Sequence, residues 1–102
     1  MTIIELAALS VRGDPYPLVS ARLIRTTSPH GRAKWSVRAT PRSAYIVDQG
    51  EPHELVMVAK DGRTYTGTAL LRDQPVTVTR GLPQRFGHRF DGSDALAEDG
   101  AP

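Results

Sequence analysis

Cysteine is absent from this 102-residue chain. That excludes disulfides, thiolate nucleophiles and cysteine-ligated metal. It fits a reducing compartment, so a cytoplasmic location is the expectation. Long apolar runs are also missing. No stretch approaches the roughly 20 residues that span a bilayer as helix, and no membrane partner is expected. The opening "MTIIELAALSVRGD" has no basic leader and is interrupted by Glu5, so it is not read as a signal peptide. Paired metal-ligand spacings are missing as well. His30, His53 and His88 fall in three separate segments, none with the i, i+2 or i, i+4 spacing of a ligand pair. Neither G-x-S-x-G nor H-x-E occurs. Asp14, Asp48, Glu51, Asp61 and Asp73 flank turns, where turn chemistry accounts for them. No catalytic residue, metal or cofactor is assigned, and a non-enzyme is expected.

What the chain does hold is arginine. Eleven arginines stand against two lysines, and the formal net charge of +2 is unevenly spread. Residues 12 to 42 carry Arg12, Arg22, Arg25, Arg32, Lys34, Arg38 and Arg42 against Asp14 alone, while "DGSDALAEDGAP" at the end carries only acids. A local cationic excess of this size attracts polyanions. Hydrophobic content of 39% with charged content of 24% is ordinary for a globular protein, so a single folded domain follows from the length.

Alternation points to strands. Residues 2 to 11 are ambiguous: Thr2 and Glu5 have capping-box spacing, whereas Ile3, Ile4 and Val11 are β-branched and favour a strand. "RGDPYP" then reads as a turn. Residues 17 to 26 and 32 to 40 flank "TSPHG" and read as a hairpin. With Ala21 opposite Val37, the residues Val19, Ala21 and Leu23 share an apolar face with Trp35, Val37 and Ala39. Arg22, Lys34 and Arg38 then share the outer face. Further strands are expected at 44 to 47, 53 to 60, 63 to 72 and 75 to 81. Gly67, in mid-strand, reads as a bend.

"KDGRTYTG", residues 60 to 67, resembles a phosphate loop only in its glycines. Such a loop leads into a helix N-terminus, and here the alternating "RTYTGTALL" follows. Asp61-Gly62 instead gives the two-residue hairpin signal, which sets Val58 opposite Tyr65 and leaves Leu55 and Met57 on a half-covered outer face. Gly67 and Asp73 have a spacing similar to the first motif of Sm-like RNA-binding barrels. Ala69 and Arg72 stand where that family has large apolar or aromatic residues, Thr77 stands where it has asparagine, and no second motif follows. The chain is not assigned to it.

The expected fold is therefore all-β, with one short N-terminal helix as the alternative for residues 2 to 11. It is a five- or six-stranded antiparallel barrel or compact sandwich, SH3- or OB-like in size. Residues 1 to 90 form one β-rich domain that ends in a basic-aromatic arm, "RGLPQRFGHRF" at 80 to 90. Residues 91 to 102 form an acidic disordered tail. The outer hairpin face and the arm nominate Arg22, Arg25, Arg32, Lys34, Arg38, Arg42, Arg85 and Arg89 as nucleic-acid contacts. A protein partner or homo-oligomer, as in an assembly module of a phage or mobile element, is the alternative. It is motivated by the Leu55/Met57 face and the extended ends. Trp35 points inward as core rather than outward as a base-stacking platform.

Overall fold

A computed structural model describes residues 1–27, 29, 31, 33–42, 50–73 and 87–99. Among these residues there are eight strands: β1 (Thr2–Val11), β2 (Asp14–Pro15), β3 (Leu18–Thr27), β4 (Ala33–Pro41), β5 (Pro52–Ala59), β6 (Thr64–Asp73), β7 (His88–Gly92) and β8 (Ala97–Asp99). Six of them close an antiparallel barrel in the order β1-β3-β4-β7-β6-β5, with β5 returning to β1. The short β2 extends β1, and β8 adds to β6. Closure removes the exposed edges that an open sheet of these strands would present.

β1 is strand throughout. A register shift between Leu6 and Ala8 inserts one extra residue, so Leu6 and Leu9, three apart, both point into the core. The turn after it is Arg12-Gly13, with φ of 54° and 84°, closing Val11 onto Asp14. Two left-handed central residues make this the type I′ hairpin turn.

The β3–β4 hairpin forms with its faces as expected but slid by two residues: Ala21 pairs Ala39, Leu23 pairs Val37 and Arg25 pairs Trp35. An even slip keeps every side chain on its face. Val19 is the exception. A register shift between Leu18 and Ser20 turns it out of the core, and it is 63% exposed.

The β5–β6 hairpin corrects the expectation by one residue, which inverts the faces of β5 while Tyr65, Ala69 and Leu71 of β6 stay inward as expected. Met57 pairs Tyr65, and Leu55 pairs Gly67. The turn has three residues, not two: Gly62 N–H donates to Ala59 O at 3.0 Å, Ala59 N–H donates to Arg63 O at 2.8 Å, and Gly62 takes φ 96°. This is a β-turn followed by a left-handed glycine bulge. Leu55 and Met57 are therefore fully buried, and the apolar outer face that motivated an assembly role does not exist.

Residues 88 to 99 are neither arm nor free tail. β7 lies between β4 and β6, with Phe90 fully buried, because alternating His88 and Phe90 complete the core that an incomplete barrel would leave open. The chain then continues along β6 through β8. Ser93 N–H donates to Thr68 O, and Thr68 N–H donates to Asp94 Oδ1, both at 2.9 Å. The strands expected at 44 to 47 and 75 to 81 lie outside the described residues.

The core runs from Leu6, Leu9 and Val11 through Leu23, Trp35, Val37, Leu55, Met57, Tyr65, Leu71 and Phe90. Gly67 has a packing role here. A Cβ there would stand 2.5 Å from Cζ2 of Trp35, and one at Gly92 would also collide with the indole. Two glycines thus seat the one tryptophan.

Candidate functional site

Register alone assembles a row of cations on the barrel's exterior. Arg22 of β3 pairs with Arg38 of β4, and Arg38 pairs in turn with Arg89 of β7. Adjacent strands lie about 4.8 Å apart, so the three Cα positions span roughly 10 Å. All three side chains are exposed, since the residues flanking each of them in sequence supply the core: Ala21 and Leu23, Val37 and Ala39, His88 and Phe90.

Acids continue the row at both ends in register: Glu5 pairs with Arg22, and Asp73 pairs with Arg89. Arg22 Nε lies 3.0 Å from Glu5 Oε1, and Arg89 Nε lies 3.4 Å from Asp91 Oδ1, which also serves Arg72 through Oδ2. Arg38, in the middle, has no ion pair among the described residues. Exposed pairs contribute only about 0–1 kcal/mol, so the terminal guanidiniums can exchange their carboxylates for another anion. Like charges directly opposite on neighbouring strands destabilise a sheet. The row therefore carries an electrostatic cost that a bound anion relieves.

The remaining nominated residues divide. Lys34 pairs Thr26 on the same outer face, closer to the hairpin tip. Arg42 follows β4, is exposed, and donates its backbone N–H to Pro17 O at 2.9 Å. Arg25 is on the other face: opposite Trp35, it shares the pleat of Leu23 and emerges where the barrel ends. Arg32 and Arg85 lie outside the described residues. Arg89 joins the row as a strand residue, not as part of an arm. The clue available in sequence was Phe90, a large apolar residue next to Arg89.

Other acids pair with arginines outside the row. Glu98 and Asp61 flank Arg63 at 3.1 and 3.9 Å. A hydrogen bond to the Tyr65 side chain, then Glu98 and Asp61, hold the Arg63 guanidinium above its ordinary pKa. Arg12 pairs Glu51 at 2.9 Å. Arg12, Arg63 and Arg72 are thus committed to local acids, whereas Arg38 has no ion pair among the described residues.

Two histidines are buried, which the sequence did not indicate. His88 Nδ1 lies 2.6 Å from the Tyr16 hydroxyl, itself 3.3 Å from Ala39 O. The His88 and Phe90 rings stack at 6.2 Å. His53 is inward on β5 opposite Ala69. No group of three or more potential metal ligands occurs among the described residues. Tyr16, Trp35, Tyr65 and Phe90 are all buried, so no described aromatic offers a stacking surface. No described helix is long and apolar enough to cross a membrane. No protein-family model, curated protein or solved structure matches this chain.

Proposed function

We propose that this small β-barrel is a non-enzymatic module that binds nucleic acid by its phosphate backbone. The contacts are the Arg22–Arg38–Arg89 row, with Lys34 and Arg42 beside it. The observation that carries the reading is the central position of Arg38. A cation with no acid partner among the described residues, held between two others by strand register, is costly to the free fold, and an anion that spans the row relieves that cost. Guanidiniums suit phosphate because their planar fork matches its oxygens. Contacts of this kind set position and affinity and carry no base sequence.

Fluorescence anisotropy with labelled 20-mers at 50 and 200 mM salt tests this. The three row arginines alone predict a fall of about 40-fold in duplex affinity across that range, rising to about 500-fold with Lys34 and Arg42 engaged, and Arg38→Ala lowers the salt slope by about one. Absence of binding at 50 mM, or binding with no salt slope, overturns the proposal.

A further inference from the structure

The β3–β4 hairpin runs past the barrel. Its ladder with β1 ends at Thr2–Arg25, and its ladder with β7 ends at Ser36–Asp91. Beyond those points Thr26 and Thr27 pair only with Lys34 and Ala33 among the described residues. Arg25, Thr26, Thr27, Ala33 and Lys34 are all exposed. A two-stranded ribbon with no apolar side is marginal by itself, and core packing does not explain this one.

Both faces of the hairpin at this end carry a cation, Lys34 on the ribbon itself and Arg25 at its root, where β1 still pairs through Thr2. Lys34 stands with Thr26 on the outer face, in line with the arginine row. Arg25 stands on the opposite face, with Trp35 beneath it at the barrel end. A flat binding surface needs cations on one face only. A ribbon inserted between two rows of phosphates needs them on both.

We infer that the nucleic acid is B-form duplex DNA. The β3–β4 ribbon enters its major groove, while Arg22, Arg38 and Arg89 lie against the adjoining phosphates. The inference rests on the phosphate-binding reading above and adds the class of ligand. A ribbon about 10 Å thick with its side chains fits a groove about 12 Å wide. A-form RNA offers a major groove too narrow for it. Single strands are held by stacking on aromatic side chains, and every described aromatic is buried. Threonine hydroxyls and methyls serve at base edges without fixing one sequence.

The test compares one 20-bp sequence as DNA duplex, as RNA duplex and as each separate DNA strand, by anisotropy at 50 mM salt. The DNA duplex should bind at least about tenfold more tightly than the others. On that duplex, dimethyl sulfate should show protection of guanine N7, which lies in the major groove. The double variant Arg25→Ala/Lys34→Ala should lose the protection, with the Trp35 emission of the folded protein retained. Equal or tighter binding of RNA or single strands overturns the duplex assignment and leaves the arginine row standing. Duplex binding without N7 protection overturns groove entry. No binding to any probe removes both this inference and the reading beneath it.

Discussion

The indole Nε1–H of Trp35 donates to the backbone carbonyl of Asp94 at 2.8 Å. That bond ties β4 to the segment following β7, and it is possible because the ring lies over Gly67 and Gly92. Gly92→Ala forces a methyl into the indole, and overpacking of this kind costs about 1–3 kcal/mol. Urea denaturation should show that loss, and the Trp35 emission should shift towards that of exposed indole. Gly67→Ala should act in the same direction. Unchanged midpoints for both would mean that the ring does not occupy this seat.

The Tyr16–His88 contact joins residues 72 apart in sequence inside the barrel. Both are buried, at 5% and 1% exposure. Tyr16→Phe keeps the ring but removes the hydroxyl bonded to His88. Depriving a buried polar atom of a hydrogen bond costs about 1–3 kcal/mol. Urea unfolding of this variant at neutral pH should show a loss in that range. A loss below about 0.5 kcal/mol would place the hydroxyl in water, since exposed substitutions stay within that margin.

Gly62 decides the register of β5 and β6. At φ 96° a side chain is strained, and Gly62→Ala should lower stability by about 1–2 kcal/mol. Gly62→Asn should lower it less, because asparagine visits the left-handed region. Equal losses for the two, again by urea denaturation, would argue against a left-handed bulge at this turn.

That turn also shows where the sequence stopped being legible. Alternation identified β3 and β4 and placed Trp35 inward and Arg38 outward, because one buried face tolerates only even slips. It could not choose between a two-residue and a three-residue turn at Asp61-Gly62. Both use glycine at positive φ, yet they differ by the single residue that exchanges Val56 and Val58 for Leu55 and Met57. Residues 2 to 11 were ambiguous for another reason: Thr2 and Glu5 have capping-box spacing, and the β-branched Ile3, Ile4 and Val11 favour the strand that forms. Arg89 was nominated but misplaced. Its pairing with Arg38 depends on β7 inserting between β4 and β6, a contact between distant segments that no local pattern encodes.

Arg38 offers the sharpest separation of binding from folding. Arg38→Glu puts a carboxylate between Arg22 and Arg89, exchanging two repulsive cross-strand neighbours for two attractive ones. Each such pair is worth about 0.2–1 kcal/mol, so the variant should be more stable than the parent in urea at low salt, and the gain should shrink as salt screens it. Nucleic-acid affinity should fall at the same time, because one cation is lost and a repulsive charge takes its place. A surface kept only for folding gains from the change and loses nothing. Greater stability with unaltered affinity would therefore show that the arginine row is not the contact surface. Lower stability would show that Arg22 and Arg89 do not flank position 38 as the register requires.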